Sequence, residues 1–131
     1  MPTDVWEALA SNQNAVLIDV RTDVEWNSIG APGMPDGNSN CHFISWQFAP
    51  DMRVNAGFLD DMEAAGIGRD VPIYFLCRSG VRSKAAATIA ASAGYGPCYN
   101  VAEGFEGLAD ASGARYGGWR GNGLPETQLN K

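Results

Sequence analysis

Long apolar runs, basic charge and cysteine are all scarce in this sequence. No apolar stretch approaches the roughly 20 residues that cross a bilayer, so the sequence predicts no membrane span. Nine basic residues against 15 acidic ones give a net charge of −6, which disfavours nucleic acid and anionic membranes as partners. The three cysteines favour free thiols in a reducing compartment over a disulfide framework. Because the start, MPTDVWEAL, also lacks the features of a secretory signal, we expect a cytoplasmic protein.

The composition is that of a globular protein. Of the 131 residues, 45% are hydrophobic and 18% are charged, which argues against a disordered chain. The length predicts a single domain over residues 1–131, with a glycine-rich tail from about residue 117 to residue 131.

Short apolar runs alternate with helical patterns along the chain. Buried strands are predicted over residues 15–20, 41–46, 71–77 and 98–101. Helices are predicted after a Thr3 cap, after the capping-box pair Thr22 and Glu25, over 56–65 after an Asn55 cap, over 81–93, and after Gly104. Gly66 and Gly94 are placed to end two of these helices. This alternation predicts an α/β fold, with a mostly parallel central sheet and helices on both faces.

The segment CRSGVRS carries the strongest chemical signal. Cys77 ends an apolar strand, and a helix begins shortly afterwards, near Arg82. A turn between a strand and a helix N-terminus directs backbone N–H groups inward and forms an anion site, and Gly80 permits such a turn. There is no Asp or Glu between residues 71 and 102. We therefore expect the thiolate of Cys77 to be stabilised and nucleophilic, with Ser83, or else Ser79, donating a hydrogen bond to it.

Several motifs together resemble the rhodanese-like sulfurtransferases, in particular the small single-domain bacterial members. These motifs are LIDVR, the EW that follows it, CRSGVRS, NVAEGFEG and GWRGNGLP, which together cover most of the chain. The resemblance implies that Cys77 takes sulfane sulfur from a small anionic donor such as thiosulfate and becomes a persulfide. A thiol or cyanide would then accept the sulfur, and a protein is a further candidate acceptor. The resemblance implies no metal and no organic cofactor.

By the same resemblance, the residues after the cysteine form the substrate site. The two arginines would orient the anionic donor, because guanidinium groups match oxyanions. The backbone of the segment would surround the persulfide. The implied substrate-binding residues are Arg78, Ser79, Gly80, Val81, Arg82 and Ser83.

Two other functions remain open. A persulfide carrier that docks to a protein partner would use the same loop. A phosphatase or arsenate reductase of related fold is less favoured, because phosphatases place one residue more between cysteine and arginine. The four residues between Cys77 and Arg82 form a ring that suits a single sulfur atom better than a tetrahedral oxyanion.

Some residues depart from the family pattern or allow two interpretations. No histidine matches the usual Gly-His-Ile-x-Gly-Ala signature, which leaves the register of residues 30–45 open. Asp19 and Arg21 allow two interpretations. Either Asp19 lies near the loop that follows Cys77, or the pair has a structural role in which Arg21 bridges to Glu25. We favour the structural role. We interpret His42 as a packed or half-exposed strand residue and not as a general base.

The two remaining cysteines also allow two interpretations. Cys41 and Cys98 either fill core space, which we favour, or act as resolving thiols that release sulfur from a persulfide. The neighbours Cys41 and His42 lack further ligands at a recognised metal-site spacing, so no metal site is predicted.

Overall fold

The computed structural model describes residues 2–127. Its helices are α1 (Pro2–Ser11), α2 (Asp23–Ser28), α3 (Phe58–Ala64), α4 (Val81–Ser92) and α5 (Gly118–Gly121). Its strands are β1 (Val16–Asp19), β2 (Ala31–Pro32), β3 (Cys41–Phe43), β4 (Gln47–Phe48), β5 (Arg53–Val54), β6 (Ile73–Leu76), β7 (Cys98–Asn100), β8 (Leu108–Ala109), β9 (Arg115–Tyr116) and β10 (Glu126–Thr127). Within the described residues, no helix is long and apolar enough to cross a membrane.

The predicted α/β fold is confirmed. Four parallel strands form the central sheet in the order β3-β1-β6-β7, and each of the four predicted apolar runs supplies one of them. Parallel strands need crossover connections, which the helices between them provide. The carboxyl ends of all four strands consequently meet at one edge of the sheet.

Alternation of side chains along the strands divides the core into two clusters. In β6, Ile73 and Phe75 join the cluster that contains Phe58 and Met62 of α3 and the alanines of α4. Leu76 points the other way and joins the cluster of α1 and Trp119. Because successive residues of a strand face opposite sides, the sheet is buried on both faces.

The predicted start of α2 and the predicted ends of α3 and α4 are confirmed. The Thr22 side chain accepts the Glu25 N–H, and the Glu25 side chain accepts the Thr22 N–H, which completes the capping box of α2. Gly66 and Gly94 follow α3 and α4 with φ of +76° and +92°, a conformation that glycine adopts without strain.

Two predicted helix caps are wrong. Helix α1 already begins at Pro2, so Thr3 lies inside its first turn, and proline is well suited to that position. Helix α3 begins at Phe58 and not at residue 56. Asn55 instead accepts the Gly57 N–H and donates its amide to Ser45 O, so it joins the segment after β3 to the residue that precedes α3.

The predicted helix after Gly104 is also wrong. Residues 108–116 form an antiparallel hairpin of β8 and β9. At Gly107, φ is +80°, and an added Cβ would meet the Tyr116 carbonyl oxygen at 2.0 Å, so a close tertiary contact overrides the local helical pattern. The tail packs back on the body, because Trp119 is fully buried and its indole N–H donates to Pro125 O at 2.7 Å. The tail residues 128–131 lie outside the described residues.

The structure fixes the register of residues 30–45. Leu17 pairs with Cys41 and Ile18 with His42, while β2 pairs antiparallel with β10 of the tail. The Asn38 amide donates to Leu9 O and Ala15 O, both at 3.0 Å. These bonds hold the loop before β3 against the end of α1 and the start of β1.

Candidate active site around Cys77

Cys77 is the first residue after β6, at the edge where the parallel strands end. Only three residues separate it from the start of α4 at Val81. The turn closes because Gly80 adopts φ +106°, which is left-handed backbone that favours glycine. No side chain caps α4, so its amino end and the associated partial positive charge face the turn.

Two donors converge on the Cys77 sulfur. The Gly80 N–H and the Ser83 hydroxyl each lie 3.1 Å from Sγ. Ser83, and not Ser79, therefore places its hydroxyl within hydrogen-bond distance of the sulfur, as the sequence favoured. Of the backbone N–H groups expected to surround the sulfur, Gly80 supplies the hydrogen bond. The cysteine is buried, with 1% of its surface exposed.

Asn100, at the end of β7, completes this network and was missed by the sequence analysis. Its Oδ1 accepts the Ser83 hydroxyl at 2.5 Å, and its Nδ2 donates to Gly80 O at 3.0 Å. The available signal was a polar residue ending an apolar strand beside β6, because such ends line ligand sites in parallel sheets.

The segment 104–106 supports the turn from outside. Its Phe105 and Glu106 N–H groups donate to Cys77 O at 2.8 Å and Arg78 O at 2.9 Å. Gly104 has φ +62°, and an added Cβ would lie 2.5 Å from Cys77 O. Side chains are thus excluded where this segment meets the turn.

Arg82 is held by a carboxylate from α2. Its guanidinium binds Glu25 through two nitrogens, at 2.7 and 3.0 Å. Burial alone would lower the pKa of Arg82, but the hydrogen bonds and charge of Glu25, with the nearby Cys77 and Asp19, raise it overall. Burial likewise would raise the pKa of Glu25, but Arg82 and Thr22 lower it below the ordinary 4.5.

Arg78 remains at the surface although it also has a carboxylate partner. Its side chain is 52% exposed, and its Nε lies 3.2 Å from Glu106. Residues 71–102 contain no carboxylate, yet the fold brings Glu25 and Glu106 onto the two loop arginines. The other predicted loop residues are Ser79, which is half-buried, and Val81, which is 76% exposed.

Asp19 and Arg21 form a fully buried ion pair at the end of β1. The Arg21 guanidinium bonds Asp19 at 2.7 Å, donates to Gly30 O and lies over the Phe105 ring. The predicted bridge from Arg21 to Glu25 is wrong, because Glu25 binds Arg82 instead. The structural role that we favoured for the pair fits these contacts.

The other sulfur and imidazole groups lie within strands. Burial, with the charge of Asp19, raises the pKa of Cys41 to about 12, so this thiol is protonated at neutral pH. Burial also raises the pKa of Cys98, which packs against the core and donates to Tyr95 O. His42 is a half-buried residue of β3, and burial lowers its pKa.

A groove lies beside this network and not over the sulfur. Its volume is about 710 Å³, and residues of α2, α3 and the segment from β3 to β5 line it, with none from 77–83. Asp23 and Trp26 are its lining residues from α2, the helix that also supplies Glu25.

Comparison with known proteins agrees with this architecture. The profile of the rhodanese-like domain family matches residues 1–111. The chain belongs to the rhodanese-like domain family. Protein RC0915 of Rickettsia conorii is 39% identical over 123 residues, covering 94% of this chain and 91% of its own length.

Solved rhodanese-like structures share the fold. Rv0390 from M. tuberculosis is 43% identical, with a TM-score of 0.89 over 98% of this chain and 95% of its own. The polysulfide-sulfur transferase homodimer from Wolinella succinogenes is 22% identical, with a TM-score of 0.66 over 97% of this chain and 75% of its own. At that identity the second likeness is one of fold.

Gly104→Ala should disturb the turn from Cys77 to Gly80 in this rhodanese-like domain, whereas Gly113→Ala should not. Both glycines have positive φ, but an added Cβ clashes with backbone only at residue 104, and nothing lies within 4 Å at residue 113. In Gly113→Ala, the unfolding free energy measured in urea should fall by about 1–2 kcal/mol, because alanine is disfavoured at a positive φ. It should fall by roughly 1–3 kcal/mol more at residue 104. The Gly80 amide resonance should move only in Gly104→Ala, and equal effects of the two variants would contradict this account.

Glu25→Gln should flatten the acid limb of the stability curve. Because the folded-state pKa of Glu25 lies below its ordinary 4.5, its ion pair stabilises the fold above that pH. The stabilisation is lost as pH falls through the lower folded-state value. Urea unfolding between neutral and acid pH should show the wild type losing its advantage over Glu25→Gln below about pH 4.5. Parallel curves over this range would exclude the proposed contribution.

Proposed function

We propose that this domain is a sulfurtransferase that carries sulfane sulfur on Cys77 as a persulfide. The observation that carries the proposal is the pair of donors, Gly80 N–H and Ser83 Oγ, each 3.1 Å from the sulfur. Hydrogen-bond donors beside an uncapped helix N-terminus favour an anionic sulfur. Membership of the rhodanese-like family supports the same chemistry, as does the activity named for the Wolinella succinogenes neighbour.

The proposed reaction has two steps. In the first, the Cys77 thiolate attacks the outer sulfur of thiosulfate, the sulfur–sulfur bond of the donor breaks, and sulfite leaves with the bonding electron pair. In the second, cyanide or a thiolate attacks the terminal sulfur of the persulfide, and the Cys77 thiolate is regenerated. Such covalent catalysis gives ping-pong kinetics.

Donor binding belongs to Arg78 in this proposal. The resemblance implies that both loop arginines orient the donor, but the guanidinium of Arg82 is taken up by Glu25. Arg78 is half-exposed and can exchange Glu106 for an incoming anion. The engagement of Arg82 by Glu25 also disfavours a phosphatase or arsenate reductase, because it leaves Arg82 less available to an oxyanion over the cysteine.

A persulfide carrier is the second candidate function. The observation that favours it is the burial of Cys77, which limits direct access by small molecules. A docked partner protein would then bring the donor or acceptor sulfur to the turn. The carrier and the enzyme differ in whether free thiosulfate alone loads the protein.

Thiosulfate should add the mass of one sulfur atom to the intact wild-type protein. Cyanide should remove it, because cyanide attacks the outer sulfur of a persulfide. Intact-mass spectrometry should show the adduct in Cys98→Ser, which keeps the active thiol, and no adduct in Cys77→Ser. Loading by a protein persulfide but not by thiosulfate would identify a carrier, and no loading by either would overturn the proposal.

Arg78→Ala should raise the KM for thiosulfate about threefold to fivefold and change kcat less. A half-exposed charge contact contributes about 1 kcal/mol, and this one acts in donor binding and not in bond breaking. Arg69→Ala is the matched control, because Arg69 is exposed and bonds Ala93 O at the far end of α4. Steady-state kinetics with cyanide as acceptor make the comparison. An unchanged KM in Arg78→Ala would remove Arg78 from donor binding.

A further inference from the structure

The Ser83 hydroxyl faces two acceptors but has one hydrogen. Its oxygen lies 3.1 Å from Cys77 Sγ and 2.5 Å from Asn100 Oδ1. A serine hydroxyl donates a single hydrogen bond, so it cannot serve both acceptors at once. The shorter distance favours donation to Asn100.

The orientation of the Asn100 amide follows from Gly80. A carbonyl oxygen only accepts hydrogen bonds, so the amide nitrogen of Asn100 must face Gly80 O, which lies 3.0 Å away. Oδ1 must then face Ser83 as a pure acceptor. The bond to Gly80 also keeps the amide from turning away when the Ser83 hydrogen moves.

We infer that Asn100 is a positioning residue that competes with the Cys77 thiolate for the Ser83 hydrogen. In the neutral state, the Cys77 thiol donates to Ser83 Oγ, and Ser83 donates to Asn100. When the thiol releases its proton to solvent, the Ser83 hydroxyl turns to the sulfur and Asn100 Oδ1 loses its donor. Ser83 and Gly80 favour the thiolate of Cys77 by donating hydrogen bonds to it. By competing for the Ser83 hydrogen, Asn100 lowers the population of that thiolate.

The same competition has a consequence for the persulfide, and this part rests on the proposed function. The persulfide carries its charge on the outer sulfur, so Sγ no longer needs the Ser83 hydrogen, which returns to Asn100. Asn100 thus favours the loaded protein over the free thiolate. A less stabilised thiolate is also a stronger nucleophile, because nucleophilicity rises with thiol basicity.

Lys84 of α4 is exposed and lines a groove with Asn100. Three ion pairs hold other charged side chains near the turn, and the Ser83 hydrogen is the movable element of the network. The pairs are Arg82 of α4 with Glu25 of α2, Asp19 with Arg21 after β1, and Arg78 of the turn with Glu106. None of these pairs involves Asn100. A variant at residue 100 therefore leaves the local charges unchanged.

The test is the pH dependence of Cys77 alkylation by iodoacetamide, with each cysteine resolved by peptide mass spectrometry. At pH values below the midpoint of this rate profile, Cys77 should be alkylated roughly threefold or more faster in Asn100→Ala than in the wild type. The reason is that the variant gains a whole hydrogen bond from Ser83 to the charged sulfur. Its midpoint should move to lower pH. Asn40→Ala is the matched control, because Asn40 also donates its amide to a backbone carbonyl, that of Gln13, but lies before β3.

A double variant separates competition from loosening of the turn. In a Ser83→Ala background no hydrogen is contested, so Asn100→Ala should have no further effect on the pH profile. An equal acceleration with and without Ser83 would show that the turn has merely loosened and would overturn the inference, as would no acceleration. Asn100→Leu, which keeps the number and branching of the side-chain heavy atoms, serves if Asn100→Ala does not fold. Because alkylation needs no sulfur donor, the outcome is independent of whether thiosulfate loads the protein.

Discussion

The turn from β6 into α4 is the constraint on which the site depends. Four residues, 77–80, must reverse the chain between a buried strand and a 12-residue helix while leaving an N–H directed at the sulfur. Gly80 makes this possible through its φ of +106°, and Gly104 makes room for it from the outside. The turn has few alternatives, since both its own conformation and its neighbour require the absence of a side chain.

Groups from distant parts of the chain hold this turn in place. Glu25 comes from the helix after β1, Asn100 from the edge strand β7, and Glu106 from the segment that leads to the tail. Glu25 and Asn100 each satisfy a polar group that burial would otherwise leave unpaired, which is costly in a low-dielectric interior. Glu106 pairs with the half-exposed Arg78. Glu25 and Glu106 neutralise the two arginines near the turn, Arg82 and Arg78. The groups within hydrogen-bond distance of the sulfur are therefore mainly uncharged.

The sequence predicts what local physics decides. The apolar runs, the capping box of Thr22 and Glu25, and the glycine stops gave the sheet and most helices correctly, because each depends on a few adjacent residues. CRSGVRS also located the sulfur and its Ser83 donor. The partners of Arg82 and the role of Asn100 could not be predicted, because 57 and 17 residues separate the bonded groups along the chain. The hairpin of β8 and β9 was missed for the same reason, since close backbone contact and not local propensity decides it.

The division of the core into two clusters has a consequence for how this protein can change. Cys77 continues the side of the sheet occupied by Ile73 and Phe75, which is the side that α4 covers. A shift of one position within the strand would direct the thiol toward Trp119, on the side away from the helix terminus. The number of residues between Ile73 and the thiol can therefore change only by an even number if the thiol is to stay on this side of the sheet. An inserted or deleted pair of residues keeps the sulfur beneath α4, whereas a single one directs the thiol away from Gly80, Ser83 and the amino end of the helix.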